Sequence, residues 1–150
     1  KEFDPDLVDE VSKAAIRLIK IKKDLFKTKF KITKVMAIPR STKYEPNYPC
    51  ERLAENIADH FDWVHVRQHI VRIENIRSSS SSQGNRPEIK DHLKTIEIEP
   101  YTSISPQGNV LLVDDVYTRG NTFESCRILI NRKYPRVKSY GLFVGRTVGI

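Results

Sequence analysis

Helical periodicity dominates the first quarter of the chain. Within residues 6–26, apolar side chains recur at steps of three and four, a spacing that places them on one face of a helix. These positions are Leu7, Val11, Ala14, Leu18, Ile21 and Leu25. We expect this face to pack against a sheet, with Asp4-Pro5 starting the helix and the following lysines near its end.

Short apolar runs separated by polar or helical segments follow. The β-favouring runs are residues 35–38, 63–66, 110–113 and 137–144, and the alternating run 94–99 predicts an edge strand. Residues 51–61 have helical periodicity, whereas residues 44–50 contain two prolines and are expected to be irregular. Strands that alternate with helices predict an α/β fold with a mostly parallel central sheet flanked by helices.

The segment 109–130 joins an apolar strand, two carboxylates and a loop of small polar residues. Asp114 and Asp115 follow the run 110–113, at the predicted carboxyl end of a strand, where ligands bind in open α/β sheets. The loop after them contains Thr118, Arg119, Gly120, Asn121 and Thr122. A helical pattern begins directly after it, and a helix N-terminus favours phosphate. We therefore expect a ligand with a phosphate at one end and ribose hydroxyls close to it.

The sequence VLLVDDVYTRGNT resembles the phosphoribosyl pyrophosphate (PRPP) motif of the type I phosphoribosyltransferases and is closest to their competence-protein, ComF-like branch. The resemblance covers most of the chain, although only this motif is highly specific. It implies that Asp114 and Asp115 bind the ribose hydroxyls and help to hold Mg²⁺, directly or indirectly. The implied 5′-phosphate loop is Thr118, Arg119, Gly120, Asn121 and Thr122. Arg119 stands where the family usually has a small residue, so its guanidinium either adds a phosphate contact or crowds the site.

Two further segments take their roles from the same resemblance. Arg40, Ser41 and Lys43 lie in the loop after the first sheet strand, which holds pyrophosphate in the family; an ordinary polar loop is the alternative. Residues 77–95 would form a hood that closes over the substrate, and the serine-rich part, 77–86, is otherwise a flexible linker. Arg86 would then deliver positive charge to the leaving pyrophosphate.

The net charge of +7 over 150 residues favours anionic binding partners. A basic surface attracts nucleic acid, but a pocket for a polyanionic small molecule also benefits from positive potential. Much of the excess lies in residues 13–34, where the lysines crowd together around only two aromatic residues, Phe26 and Phe30, and do not form the pattern of a base-stacking platform. Nucleic acid is therefore a secondary expectation, because most such runs are solvated faces.

Other features exclude several classes of protein. No apolar run is long enough to span a bilayer and no secretory segment opens the chain, so we expect a cytoplasmic protein without membrane contact. Cys50 and Cys126 are expected to be reduced thiols, and the four histidines lack the spacing of a zinc site. The first residue is not Met, which leaves a missing flanking domain as an open alternative. The first helix also offers a surface for a homo-oligomer, without favouring dimer over monomer.

Together these features predict one domain over residues 1–150, with an N-terminal helix and basic segment (1–34), a hood (77–95) and a PRPP motif (109–130). The predicted reaction transfers the 5-phosphoribosyl group of PRPP to a nitrogen acceptor and releases pyrophosphate. The alternative is a non-catalytic PRPP- or nucleotide-sensing module in a nucleic-acid-related, competence or defence-like pathway. A magnesium-binding receiver domain and a purely structural strand-loop-helix are less favoured interpretations. Purine-specific family members carry an acid where Thr118 stands, which argues against the usual purine chemistry, and the sequence leaves the acceptor open.

Overall fold

A computed structural model describes residues 4–77, 85–117 and 119–146. Its helices are α1 (Pro5–Ile21), α2 (Tyr48–Phe61), α3 (Ile89–Thr95) and α4 (Asn121–Lys133). Its strands are β1 (Ile32–Ala37), β2 (Val64–His65), β3 (Ile70–Arg72), β4 (Ile96–Ile98), β5 (Asn109–Tyr117) and β6 (Ser139–Arg146). The predicted α/β class is confirmed.

The central sheet has the strand order β2-β1-β5-β6, and all of its pairs are parallel. The four apolar residues 110–113 of β5 are completely buried, as expected for a strand that is covered on both faces. Parallel neighbours require crossover connections, and here those connections carry α2, α4 and the segment between β2 and β5. The predicted parallel central sheet flanked by helices is therefore confirmed.

One face of the sheet is covered by α2, and α1 packs mainly on α2. The predicted inward face of α1 is wrong, because Leu7, Leu18 and Ile21 are 61, 44 and 71% exposed. The face that turns inward instead contains buried Ile19 with Val8, Ala15 and Ile16, and it keeps Val11 of the predicted set. Part of the apolar stripe that the periodicity predicted to be buried therefore faces solvent.

Polar contacts accompany the apolar packing of α1 on α2. Asp9 accepts hydrogen bonds from Arg52 Nε at 3.1 Å and from Asn56 Nδ2 at 2.9 Å, and Asn56 Nδ2 also lies 3.0 Å from Ser12 Oγ. These contacts add polar partners on α2 to an inward face that is otherwise apolar. Apolar periodicity alone does not reveal such a contact, because the polar partners lie more than 40 residues away in the chain.

The predicted continuation of the first helix to residue 26 is also corrected. α1 ends at Ile21, and a separate π-helical turn covers Leu25–Lys29. In this turn the Phe30 amide donates to the Leu25 carbonyl at 2.8 Å, and Phe26 is turned into the core. Phe30 then stacks on Tyr140 of β6, with ring centroids 4.0 Å apart. Aromatic contacts of Phe26 and Phe30 therefore fix the position of the turn that precedes β1.

The other face of the sheet packs against α4 and part of a small unit formed by β3, α3 and β4. We call this unit, with residues 73–77 and 85–88, the hood; it extends beyond the predicted segment 77–95, and closure over a substrate stays a prediction. β3 and β4 form a separate antiparallel pair in which Ile70 faces Ile98 and Arg72 faces Ile96. The predicted edge strand at 94–99 is thus real but shorter, because its first two residues end α3. The sequence predicted neither β3 nor α3.

Two further expectations concern connections. Residues 44–50 are not wholly irregular, because α2 begins at Tyr48 with Pro49 in its first turn, where a missing N–H removes no helical hydrogen bond. Of the predicted flexible loop 77–86, residues 78–84 lie outside the described residues. Within the described residues, the helices are all too short or too polar to cross a bilayer.

Candidate functional site

Both carboxylates of the motif lie inside β5, whereas the sequence predicted that the strand ends before them. β5 continues to Tyr117 because β6 still pairs with it there. Its other neighbour, β1, ends at Ala37, which is the partner of Val113. Asp114 and Asp115 therefore lie just beyond the point where β1 stops, and this edge of β5 leaves room for a ligand.

The two carboxyl groups have different environments. Asp114 is half-buried and Asp115 is exposed. Asp114 Oδ1 accepts a hydrogen bond from the Asp115 amide at 2.9 Å, and the Cys50 thiol lies 3.8 Å from the same oxygen. Burial, followed by the charge of Asp115, raises the pKa of Asp114 to about 7. Asp114 therefore keeps its proton to a higher pH than an ordinary aspartate does.

We expect Asp114→Asn to make the protein more stable at alkaline pH. The carboxyl titrates near pH 3.8 when unfolded and near 7 when folded, so folding favours its protonated form and stability falls as the pH rises through this interval. The Asp114→Asn side chain does not ionise, so the variant does not lose stability as the pH rises. Urea denaturation should show a gain on the order of 2 kcal/mol at pH 8 that shrinks towards pH 4. A gain that is the same at both pH values would contradict the assignment.

The acid pair is suited to Mg²⁺ only in combination with a ligand. Among the described residues, no three His, Cys, Asp or Glu side chains cluster in a way that would hold a metal by themselves. Magnesium is usually bound through one or two carboxylates together with waters and substrate phosphates. Asp114 and Asp115 supply donors of that kind, so the residues present fit a cation that is shared with a phosphorylated ligand.

The loop that follows β5 begins α4 with a glycine in the left-handed conformation. Gly120 has φ +73°, and a Cβ atom at this position would lie 2.8 Å from the Tyr117 ring. Gly120 has no side chain that could cap the helix, so the N-cap residue leaves the first amides of α4 without a side-chain acceptor. Such a terminus is suited to an anion. Arg119 is exposed beside it, and Thr118 lies outside the described residues.

Asn121 and Thr122 connect this loop to the hood. Asn121 Nδ2 donates to the Pro87 carbonyl at 3.0 Å, and Thr122 Oγ1 lies 3.5 Å from His92 Nε2. In the next turn, Ser125 Oγ donates to the Asn121 carbonyl at 2.6 Å. The start of α4 is therefore held against the segment that leads into α3.

The predicted pyrophosphate loop is also fastened to the hood. The Ile76 amide donates to the Ser41 carbonyl at 2.9 Å, and the Lys43 amide donates to Asn75 Oδ1 at 2.7 Å. The Arg40 side chain pairs with Glu45 at 2.9 Å in an exposed ion pair. The backbone of this loop is thus fixed, whereas the side chains of Arg40 and Lys43 remain near solvent.

Arg86 lies on the hood. It lines a cavity of about 330 Å³ together with Ile76, Arg77 and Asp91. A second cavity, of about 180 Å³, lies between the loop after β1 and the hood, and its polar lining includes Tyr44, Asn47, Glu51 and Glu99. Both cavities therefore border the segments that join the hood to the sheet.

Arg72 of β3 is the buried centre of these connections and was missed by the sequence analysis. Its guanidinium is 2% exposed and donates to the Arg40 carbonyl at 2.9 Å and to Thr95 Oγ1 at 2.5 Å. A third nitrogen lies 3.4 Å from His92 Nδ1. Burial and then the Arg72 charge lower the pKa of His92 to about 4, so its ring is neutral and accepts at Nδ1.

A continuous polar chain follows from these contacts. A neutral His92 that accepts from Arg72 at Nδ1 carries its proton on Nε2, the nitrogen that faces Thr122. The chain runs from the Arg40 carbonyl through Arg72 and His92 to the Thr122 hydroxyl. The structure thereby links the loop after β1 to the loop after β5 through the hood.

We expect Arg72→Met to lower the free energy of unfolding by about 2–4 kcal/mol, because three buried acceptors lose their donor. Arg72→Lys should recover only part of this loss, since one ammonium cannot reproduce the planar fork. Urea denaturation measures both effects. The control is Arg127→Met, which removes the exposed partner of Glu124 and should change stability by less than about 0.5 kcal/mol. Equal effects of the two Met variants would contradict this role.

The cysteines and two of the histidines lie in structural environments. Cys50 and Cys126 are free and buried, and burial raises the pKa of both thiols, that of Cys126 to about 12. His65 pairs with Glu51 at 2.8 Å, and His69 contacts the Thr102 hydroxyl at 2.6 Å. The thiols are therefore protonated at neutral pH, and these histidines have structural partners.

Comparisons with known proteins identify solved structures with a similar fold. No family model matches the sequence, and no curated protein matches it. The structure is similar to that of adenine phosphoribosyltransferase from Saccharomyces cerevisiae in complex with an imino-altritol bisphosphate and adenine, with a TM-score of 0.53 and 14% identity over 91% of this chain and 68% of that one. It is also similar to another adenine phosphoribosyltransferase, with a TM-score of 0.57 and 14% identity over 96% and 72% of the two chains.

A third similar structure is the xanthine-guanine-hypoxanthine phosphoribosyltransferase of Helicobacter pylori, with a TM-score of 0.53 and 17% identity over 90% of this chain and 73% of that one. At such low identity, these similarities establish a shared fold. The chain therefore has a phosphoribosyltransferase fold.

Proposed function

We propose that this protein binds PRPP together with Mg²⁺ and transfers the 5-phosphoribosyl group to a nitrogen acceptor, with release of pyrophosphate. One observation carries the proposal: the acid pair and a glycine-initiated helix N-terminus follow one another at the open edge of β5, in a fold shared with phosphoribosyltransferases. Carboxylates suit ribose hydroxyls, and the uncapped helix start suits the 5′-phosphate.

The loop after β5 would anchor the phosphate end of the ligand. Gly120 allows close approach of the backbone, and the first amides of α4 are available as donors. The Thr122 hydroxyl accepts from His92 and so has its own proton free for a phosphate oxygen. Asn121 and Arg119 would complete the contacts, together with Thr118. The exposed position of Arg119 is compatible with a guanidinium that adds a phosphate contact.

Pyrophosphate would lie between the acid pair and the loop after β1. Arg40 and Lys43 supply cations there, while the Ser41 carbonyl fixes the loop to the hood. Asp114 and Asp115 would hold Mg²⁺ jointly with the ligand, and the cation would neutralise charge that develops on the leaving group. The contribution of the chain is thus positioning and electrostatic stabilisation.

The acceptor would enter the cavity of about 180 Å³ between the loop after β1 and the hood. This location supports the assignment, because Ile38 lines the cavity and its amide is bound to the Val113 carbonyl, one residue before Asp114. Tyr44 and Asn47 offer a ring and an amide for recognition. A small acceptor with N–H groups suits the carboxylate of Glu99 in the same lining.

Calorimetric titration of PRPP, with and without magnesium, tests the proposal. We expect saturable binding that is weakened by removal of magnesium, because the acids alone repel the pyrophosphate. The absence of any binding would refute it. A screen of nitrogen acceptors for pyrophosphate release then separates transfer from the second candidate, a PRPP- or nucleotide-sensing module related to the ComF-like branch, for which we expect binding without turnover.

A further inference from the structure

A groove of about 570 Å³ lies between the end of α1, the π-helical turn and the end of α2. Its apolar lining consists of Ile19, Phe26, Ile32, Phe61 and Trp63. Phe61 and Trp63 are stacked on each other, with ring centroids 4.8 Å apart, and both are half-buried. The groove therefore presents a partly aromatic apolar floor to solvent.

The rim of the groove is basic. Lys20, Lys23, Lys27 and Lys31 line it, and all four side chains are exposed. No Asp or Glu belongs to its lining; Asp24 and Asp62 are exposed neighbours of lining residues in the chain. Lysines of this kind lay their stems along apolar surface and keep the ammonium group in water. The groove thus combines an apolar floor with positive potential at its mouth.

We propose that this groove binds a small amphipathic anion, with an apolar ring system or chain on the aromatic floor and a carboxylate, sulfonate or phosphate among the lysines. Its volume lies within the range of roughly 300–1,000 Å³ that is typical of small-molecule sites. The absence of carboxylates from the described lining selects an anionic head over a cationic one. A second copy of this chain is a poor occupant, because its net charge of +7 would meet the same lysines.

This groove is separate from the proposed PRPP site. Ile32 lies at its floor and begins β1, whereas Ala37 ends β1 beside the acid pair. The five intervening steps correspond to roughly 17 Å along the strand. The inference does not depend on the proposed function, and the two fail independently.

The fold adds aromatic residues to those that the sequence places among its lysines. Phe26 lies between Lys23 and Lys27 and lines the groove, and Phe61 and Trp63 from the end of α2 reach the same groove. Aromatic rings beside lysines also suit single-stranded nucleic acid. The concave shape favours the small ligand, and the experiment distinguishes the two.

Trp63 makes the test specific, because it is the only tryptophan of the chain. The probes are 1-anilinonaphthalene-8-sulfonate and N-phenyl-1-naphthylamine, which share a ring system and differ in the sulfonate. We expect the sulfonate to quench Trp63 emission saturably with one site per chain, at least tenfold more tightly than the neutral probe. Equal affinity of the two probes would overturn the proposal, as would displacement of the sulfonate by PRPP or tighter, competing binding of a poly-dT oligonucleotide.

Charge-reversal variants provide the control. Lys23→Glu/Lys27→Glu should weaken sulfonate binding at least tenfold, and the milder Lys23→Gln/Lys27→Gln should weaken it in the same direction. The matched variant is Arg132→Glu/Lys133→Glu in the last turn of α4, which changes net charge equally away from the groove and should bind as the wild type does. Melting curves verify that each variant is folded. A similar loss in the matched variant would overturn the proposal.

Discussion

Asp114→Asn/Asp115→Asn should weaken PRPP binding by about 100-fold or more in the presence of magnesium. Each carboxylate is expected to contribute a charged hydrogen bond of about 1.5–3 kcal/mol, and the pair also loses its attraction for the cation. Calorimetry at pH 7.5 measures the effect. Urea denaturation of the double variant at the same pH verifies that it is folded; Asp114→Asn alone is expected to be more stable than the wild type there.

The control for the acid pair removes two carboxylates elsewhere. Asp24→Asn/Asp59→Asn changes net charge by the same amount at exposed positions outside the site. We expect this variant to bind PRPP within about twofold of the wild type, because surface charges at a distance are screened by salt. If the Asp114/Asp115 variant bound equally well, the ribose would have to lie elsewhere on the protein.

Gly120→Ala should cost about 2–3 kcal/mol of stability and should also weaken PRPP binding at least tenfold. The backbone at this position has φ +73°, which costs an L-residue roughly 1–2 kcal/mol, and the added Cβ would lie 2.8 Å from the Tyr117 ring. Relief of that contact requires the loop or the ring to move. Urea denaturation and PRPP titration measure the two losses.

Gly145→Ala is the matched control for this substitution. Gly145 lies on β6 opposite Val116, and the nearest atom to its added Cβ is the Asp115 carbonyl oxygen at 3.8 Å, an ordinary contact. We expect a change of less than about 1 kcal/mol and unaltered PRPP binding. A Gly120→Ala variant as stable as the control would show that the loop adopts another conformation.

The elements that the sequence predicted well are those with strong local signals. The run 110–113 is apolar at every position and became the buried centre of β5. The helical pattern predicted directly after the loop became α4, in which Cys126 and Ile130 are buried. The parallel order of the sheet followed from the alternation of strands and helices. The strand end was misplaced because pairing with β6, a tertiary contact, extends β5 through two acids.

Local signals failed where distant partners decide the structure. Two apolar stripes overlap on α1, and packing against α2 decides which of them is buried. β3 is a three-residue strand that exists only through its pairing with β4. The motif led to the acid pair and to Gly120, but it contained no sign of Arg72. Its three acceptors belong to residues that lie 20 to 32 positions away in the sequence.

The insertion of the hood between two strands of the sheet has an evolutionary consequence. The chain leaves the sheet after β2 and returns at β5, and β2 and β5 both pair with β1. The hood is therefore one contiguous segment, which recombination can exchange in a single event without touching Asp114 or Gly120. Its ties to the two loops run through Arg72 and His92 and through the segments on either side of them. Under the proposed function, an exchange of hoods would change the acceptor, provided that each new hood brings its own anchor for the two loops.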